Sequence, residues 1–168
     1  EGARVRHAAA VALSCHGRFA LPAVPALARC LQDEAEDVRR CAAVAMAAVG
    51  KAHSQDAVHA LASRLSDASG AVRLAAAEGL GRLGTPGAPS VGPLVHRGLV
   101  DEVDAVRAAA ASSLTQLARS GFLDAAAAAV VEAACTTRLR DLSDDVRQAA
   151  ELCLQVLKQR REAGAAAG

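Results

Sequence analysis

A valine–arginine pair recurs along the chain at nearly constant spacing. Successive arginines of these pairs lie 33, 34, 34 and 40 residues apart. A period of roughly 20 to 50 residues indicates repeated structural units, each of which can bury its apolar face only against its neighbours. The recurrence therefore predicts a stack of similar units. The five arginines are Arg6, Arg39, Arg73, Arg107 and Arg147.

Other residues repeat in step with each arginine. Counted from the arginine, position −1 is valine, position +3 is alanine, and position +7 is leucine or methionine. This spacing gives one apolar stripe on an α-helix. Four of the units also carry aspartate at −6 and leucine at −8, which predicts a first helix, a short turn and a second helix. The predicted fold class is all-α, a right-handed α-solenoid of about four and a half helix pairs.

The composition agrees with an all-helical core. Hydrophobic residues make up 52% of the chain, yet only two residues are aromatic, so alanine, leucine and valine must fill the core. We predict a single domain at 1–162 and a flexible alanine- and glycine-rich tail at 163–168. The longer last interval predicts either a longer first helix in the last unit or a loop near Thr136 and Thr137. The predicted units are 1–17, 18–50, 51–84, 85–120 and 121–161.

The segment LSDASGAVRLAAAEGLGRL at 65–83 shows the repeated pattern most completely. It resembles the HEAT repeat, particularly the short form named for phycobiliprotein lyases, and the resemblance covers roughly 3–160 of the chain. Tetratricopeptide and ankyrin repeats fit poorly, because the chain lacks their aromatic positions and the T-P-L-H-x-A motif. The resemblance implies an armadillo-like helical solenoid. It leaves the function open, because the family includes adaptors, scaffolds and a few enzymes.

The repeated aspartates and arginines carry opposite charges at a fixed separation. We expect Asp33 to meet Arg39 within their unit, and the resemblance to HEAT repeats implies a hydrogen-bonded ladder along adjacent units. We interpret these charges as structural. The predicted ladder consists of Asp33, Arg39, Asp67, Arg73, Asp101, Arg107, Asp141 and Arg147.

The exposed face of the second helices is the predicted binding surface. Because positions −1, +3 and +7 should be buried, positions +1, +5 and +8 should face the concave side of the solenoid. The side chains there are mostly small or apolar and nearly uncharged, which favours a partner polypeptide over a phosphate backbone. The predicted partner-binding residues are Arg40, Val44, Ala47, Leu74, Glu78, Gly81, Ser112, Thr115, Gln148 and Leu152.

Catalytic and cofactor-binding motifs do not emerge from the sequence. It contains no phosphate-binding loop, nucleophile elbow or H-E-x-x-H pair. We predict a non-catalytic protein–protein interaction or scaffold module within a larger assembly, with protein partners and no cofactor, metal or nucleic acid. One alternative is a bilin-lyase-like or chaperone-like accessory protein for chromophore attachment. Another is an RNA-binding solenoid.

Three further features of the sequence limit the possible partners and the cellular compartment. They are its net charge, its cysteines and the length of its apolar runs. A net charge of +1 gives no general attraction to nucleic acid or anionic membranes. The five cysteines contain no C-x-x-C pair, and we interpret them as buried residues in a reducing, intracellular compartment. Apolar runs are too short for membrane insertion.

Because the chain opens with a second helix, we expect upstream sequence or another subunit to cover Val5, Ala9 and Leu13.

Overall fold

The computed structural model describes residues 2–16, 22–49, 54–84, 89–121 and 123–166. All regular secondary structure in these ranges is helical. A π-helical segment at Leu94–Gly98 continues the short helix α6. The α-helices are α1 (Gly2–His16), α2 (Val24–Cys30), α3 (Glu36–Val49), α4 (Ser54–Arg64), α5 (Gly70–Leu83), α6 (Val91–Pro93), α7 (Asp104–Ser120), α8 (Ala125–Arg138) and α9 (Asp144–Ala166).

The helices form two layers. The second helices α1, α3, α5, α7 and α9 pack side by side in one row, each against the next. The first helices α2, α4 and α8 and the π-helical segment cover this row, each lying against the second helix that follows it. This arrangement confirms the predicted all-α solenoid.

Three positions of each interior second helix contribute to the core. In α5, Val72, Ala76 and Leu80 at positions −1, +3 and +7 are fully buried. Burying one leucine or valine side chain contributes about 1.5 to 3 kcal/mol. The small alanine side chains let the helices approach closely, so a core that is almost free of aromatic residues can still be densely packed.

The aspartate at position −6 shapes the turn between the two helices of a unit. Asp67 Oδ1 accepts a hydrogen bond from the Ser69 amide at 3.0 Å, and the Ser69 hydroxyl accepts one from the Val72 amide, which caps α5. Such contacts satisfy backbone donors that the first turn of a helix leaves unpaired. The repeated aspartate therefore helps to fix where each second helix begins. Equivalent aspartate bonds reach the amides of Ala35, Val103 and Ser143.

The extra length of the last interval is shared between two helices. α7 has 17 residues against 14 in α5, and α8 has 14 against 11 in α4. Both arms of the α7–α8 hairpin are thus longer by about 4.5 Å. The sequence prediction placed the whole insertion in the first helix or in a loop near Thr136 and Thr137. Instead, α8 continues through both threonines, and α7 takes the other half of the added length.

The last helix also ends later than predicted. α9 continues to Ala166, so residues 163–166 are helical rather than a flexible tail, while residues 167–168 lie outside the described residues. Arg160 of α9 donates a hydrogen bond to the Ala118 carbonyl. It also lies beside Gly121, which ends α7 in the left-handed conformation at a φ of 85°. These contacts hold α9 against the longer α7–α8 hairpin.

The five cysteines do not share one environment. Cys41, Cys135 and Cys153 are buried, but Cys30 is half-buried and Cys15 is exposed. The prediction of burial is therefore wrong for two of them. Cys15 lies at position +9, on the side of the second helix that faces away from the first helices. A hydrogen bond with Cys153 raises the pKa of Cys135, and burial raises it further, which keeps this thiol protonated and unreactive.

Candidate binding groove and the aspartate–arginine ladder

Each interior arginine of the ladder bridges two neighbouring units. Arg73 donates from Nε and Nη2 to the two carboxylate oxygens of Asp101, at 2.7 and 2.9 Å. Its Nη1 donates to the backbone carbonyls of Asp67 and Ala68, at 2.9 and 3.2 Å. One side chain thus ties the turn of its own unit to the aspartate of the next unit. Bidentate arginine–carboxylate pairs combine charge with a defined orientation.

The same bridge occurs on both sides of Arg73. Arg39 donates to the two carboxylate oxygens of Asp67 at 2.9 and 3.0 Å. Arg107 donates to those of Asp141, both at 2.8 Å. The ladder therefore runs continuously from α3 to the turn before α9.

The pairing expected within one unit is wrong. Arg39 donates to the backbone carbonyl of Asp33, at 2.8 Å, and not to its carboxylate, which instead accepts from Arg6 of the preceding unit. The amide of Ala35 also binds that carboxylate. This turn geometry directs the aspartate toward the preceding unit, so the side chains pair between units rather than within them.

The ladder also changes the acidity of its members. The hydrogen bonds from Arg107 hold the pKa of Asp141 below its ordinary value; burial opposes this effect and the amide of Ser143 adds to it. The same pair raises the pKa of Arg107. Both groups therefore stay charged around neutral pH, and neither is suited to proton transfer.

The two terminal arginines each keep half of the interior arrangement. Arg6 donates to both oxygens of Asp33, at 2.5 and 2.9 Å, but its Nη1 makes no hydrogen bond within the described residues. Arg147 Nη1 donates to two turn carbonyls at 2.6 and 3.1 Å. Its Nη2 contacts Asp144 of the same helical turn rather than an aspartate of another unit.

A groove crosses α5, α7 and α9 on the side facing away from the first helices. Its volume is about 740 Å³. Leu74 contributes from α5, Leu152 contributes from α9, and four alanines of α7 and α9 lie between them. The groove is therefore largely aliphatic, with a few polar groups on its walls.

Seven of the ten predicted partner-binding residues lie on the open side of the second helices. They occupy positions +1 and +5. Val44 is 36% exposed and Arg40 is half-buried, and both belong to α3, beyond the edge of the groove. The five that line the groove are Leu74, Glu78, Ser112, Gln148 and Leu152.

The other three predicted residues, Ala47, Gly81 and Thr115, are buried, so their assignment to the open face is wrong. They occupy position +8, which lies on the side toward the next second helix. A Cβ on Gly81 would come within 2.5 Å of Ser113 Oγ of α7. Ser113 Oγ also donates to the Ala77 carbonyl at 2.8 Å. Position +8 is used for close helix contact rather than for an open surface.

Four residues of the groove wall were not among the predicted binding residues. Arg82 and Gln116 lie at position +9, Ala105 and Asp145 lie at −2, and all four line the groove. A rotation of about 100° per residue places both positions within about 40° of position +5. Helical periodicity could therefore have identified them.

The groove offers contact area rather than reactive groups. The described residues that line it include no cysteine or histidine. In the described part of the chain, no cluster of three histidine, cysteine, aspartate or glutamate side chains could hold a metal ion. Among the described helices, none is both long and apolar enough to cross a membrane. The groove can supply aliphatic contacts, hydrogen bonds and three separate charges to a bound molecule.

The sequence profile of HEAT repeats matches residues 42–115 and, in an overlapping alignment, residues 58–155. The two matches together span more than half of the chain. The chain belongs to the HEAT-repeat family. HEAT solenoids stack helix pairs into extended surfaces that commonly serve as protein-binding scaffolds. No curated protein sequence matches this HEAT-repeat chain significantly.

Several solved structures share the HEAT-type solenoid fold at low sequence identity. A designed armadillo repeat protein in complex with the peptide (KR)4 is 19% identical, with a TM-score of 0.70 over 89% of this chain and 72% of that chain. An engineered structural-genomics protein is 20% identical, with a TM-score of 0.71 over 94% and 76%. A computationally designed armadillo repeat protein for modular peptide recognition is 22% identical, with a TM-score of 0.59 over 94% and 81%.

Proposed function

We propose that this HEAT-repeat chain is a non-catalytic protein-binding module of a larger assembly and that its groove holds a partner polypeptide. The observation that carries the proposal is the open, largely aliphatic groove across α5, α7 and α9. Leu74 and Leu152 stand at its two sides, and the alanines between them leave room for the backbone of a bound segment. Removing this apolar surface from water would favour association.

The polar groups of the groove indicate how the segment is held. Gln116 and Gln148 each carry a donor and an acceptor, so they can bond to a peptide group in either orientation. Glu78 and Asp145 contribute two negative charges against one positive charge from Arg82. This balance is unfavourable for a phosphate backbone, which requires clustered cations. The groove therefore favours a polypeptide with aliphatic anchors and polar or basic residues between them.

The structural neighbours support a peptide ligand. One was solved with the peptide (KR)4, and another was designed for modular peptide recognition. Their identity to this chain is low, so they support the class of ligand and not its sequence.

The proposal can be tested with a phage-displayed peptide library selected on the parent chain. Ser112→Arg fills the groove and Leu152→Asp charges it, and both sites are exposed, so folding should be little affected. Leu142→Asp is a matched control, because Leu142 is 98% exposed on a turn outside the groove. Selected peptides should bind the parent and the control equally and bind each groove variant at least about tenfold more weakly. Equal binding to all four proteins would contradict the proposal.

A further inference from the structure

Two cysteines from different helices meet in the interior of the last unit. Cys135 of α8 and Cys153 of α9 are both 0% exposed. A hydrogen bond joins their side chains, and the hydroxyl of Thr115 on α7 also contacts Cys153. Neither thiol lines the groove or belongs to the ladder. Their contact therefore has no part in the functions assigned above.

The repeat explains why these two side chains face each other. Cys153 is at position +6 and Cys135 is at position −12. In the third unit, a Cβ on Gly79 at +6 would lie 2.9 Å from Cδ1 of Leu61 at −12, and 3.2 Å from Cβ of Ala47 at +8 of the preceding unit. Position +6 thus faces position −12 of its own unit. The second, third and fourth units have no cysteine at either position, so only the last unit brings two thiols together in this way.

The two thiols differ in acidity. A hydrogen bond from Cys135 lowers the pKa of Cys153; burial opposes this effect, and a contact with the Thr115 hydroxyl adds to it. The same bond raises the pKa of Cys135. Cys153 therefore reaches the thiolate form more readily, and the thiolate is the nucleophilic form of cysteine. A reactive cysteine beside a second thiol is typical of sites that are oxidised reversibly.

The packing of α8 gives a small oxidant access to this pair. Of the fourteen residues of α8, only Val131 and Cys135 are buried, against nine in the equally long α5. Segments that bury few apolar side chains open locally at a low cost in free energy. Local opening of α8 exposes Cys153 while the row of second helices stays folded.

We propose that Cys135 and Cys153 form a reversible disulfide when the chain meets hydrogen peroxide or another hydroperoxide. The Cys153 thiolate attacks one peroxide oxygen, so that an S–O bond forms, the O–O bond breaks, and the departing hydroxide takes up a proton to become water. The Cys135 sulfur then attacks the sulfenic acid sulfur of Cys153. An S–S bond replaces the S–O bond, and the hydroxyl leaves with the Cys135 proton as a second water. The two sulfurs lose two electrons, which reduce the peroxide.

The order of these steps follows from the hydrogen bond between the thiols. While Cys153 is reduced, that bond keeps Cys135 protonated; oxidation of Cys153 removes it, so Cys135 reacts second. The resulting cross-link fastens the thinly covered α8 to α9 and restricts the unfolded chain, which stabilises the last unit. In a reducing compartment, a disulfide of this kind is transient and reports the presence of an oxidant.

The test treats the folded full chain with hydrogen peroxide, alkylates the remaining thiols and digests the product with trypsin. Mass spectrometry should find peptide 120–138 linked to peptide 148–158, and dithiothreitol should separate them. The oxidised chain should melt several degrees higher than the reduced chain. Cys15 is exposed, so its oxidation in the same sample shows that the peroxide dose is sufficient for an accessible thiol.

Two matched variants use residues that other units have at the same positions, so both should fold. Cys135→Val copies Val95, and Cys153→Ala copies Ala45. In Cys135→Val, Cys153 should stop at the sulfenic acid, which dimedone captures; in Cys153→Ala, the Cys135 thiol should stay unmodified.

Three results would overturn the proposal. The first is oxidation of Cys15 while Cys135 and Cys153 remain as thiols. The second is a cross-link between them that forms only in urea concentrations that unfold the chain. The third is conversion of Cys153 to the sulfinic acid in the parent chain without any cross-link to Cys135.

Discussion

Helices α1 and α9 stand at opposite ends of one row, but they present different surfaces to solvent. At position +4 the other second helices have a buried alanine, whereas α9 has the exposed Glu151. On α1, by contrast, the uncovered side chains are apolar. Replacing a few small apolar residues by polar ones at equivalent positions therefore turns a helix face that packs against another helix into one that faces water. The exposed residues are Val5, Ala8, Ala9 and Ala12 on α1, and Gln148, Glu151 and Gln155 on α9.

Each terminal arginine makes one of the two sets of contacts that an interior ladder arginine makes. Among the described residues, Arg6 bonds to the aspartate of the following unit and to no turn carbonyl, while Arg147 bonds to its turn carbonyls and to no aspartate of another unit. Arg73 has both sets. Stability measurements on these three arginines can therefore separate the contribution within a unit from the contribution between units.

The largest loss is expected for Arg73→Ala. Its side chain is 10% exposed and that of Asp101 is 6% exposed, so the substitution leaves a buried carboxylate without its partner. Such a change costs about 3 to 5 kcal/mol, measured as the unfolding free energy in urea. Arg73→Lys keeps the charge and loses the bidentate geometry, so its unfolding free energy should lie between those of the parent chain and Arg73→Ala. A loss no greater than that of Arg147→Ala would contradict the role assigned to the interior bridge.

The second prediction compares position +8 inside the row and at its end. Gly81→Ala should cost about 1 to 3 kcal/mol, because the new Cβ overlaps Ser113 and overpacking of this kind is destabilising. Gln155→Ala at the exposed end should change stability by less than about 0.5 kcal/mol. Thermal and urea unfolding of the two variants measure the difference. Equal effects would show that the two positions do not differ in packing.

Arg147→Ala isolates the contribution within one unit. The variant loses two hydrogen bonds to turn carbonyls and no contact to another unit. We expect a loss of about 1 kcal/mol in unfolding free energy, since the side chain is partly exposed. Hydrogen exchange should rise first in the turn before α9. Protection that falls first in α7 would indicate an additional role between units.

Acid should weaken the contribution between units. Because hydrogen bonds from Arg107 lower the pKa of folded Asp141, the folded chain binds that proton less readily than the unfolded chain. The stabilisation is complete above the ordinary carboxyl pKa near 4 and is lost as pH falls through it toward the folded value. Urea midpoints should therefore decline below about pH 4, and less steeply in Asp141→Asn. A parallel decline in both proteins would assign the effect to other carboxylates.

The smallest effect is expected for Arg6→Ala. Its side chain is 47% exposed, and solvent screens its pair with Asp33. The melting temperature should change by no more than about 1 °C. Asp33→Ala is the complementary variant, and it should cost more because Asp33 also binds the Ala35 amide. The reverse order would show that the Arg6 contact is the stronger of the two.

The fold could be predicted because the period and the helical stripe both repeat in the sequence. Valine at −1 and alanine at +3 identify the buried side of each second helix without knowledge of its neighbours. The division of the added length between α7 and α8 could not be predicted, since the inserted residues include none of the repeated residues that mark a position within a unit. The extension of α9 follows from contacts such as that of Arg160 with Ala118, which no local pattern shows.

The site was predicted less completely. Positions +1 and +5 depend only on the rotation of one helix, and their exposure was foreseen. Burial at +8 depends on how closely two second helices approach, which Gly81 and Ser113 decide together. The partner of each ladder arginine was ambiguous as well, because Arg39 has an aspartate both in its own unit and in the next. Only the direction of the Asp33 carboxylate resolves that choice.

The bridging arginines also limit how this sequence can change its length during evolution. Each interior arginine bonds to the turn carbonyls of its own unit and to the aspartate of the next unit. One unit therefore contains the arginine of one bridge and the aspartate of another. Duplication of an internal block of 34 residues would supply the same donors and acceptors that it interrupts, and every bridge would close again. Insertions of other lengths between the bridging turns leave these contacts intact. The α7–α8 hairpin is such a place, and there the interval grows to 40 residues while Arg107 still reaches Asp141.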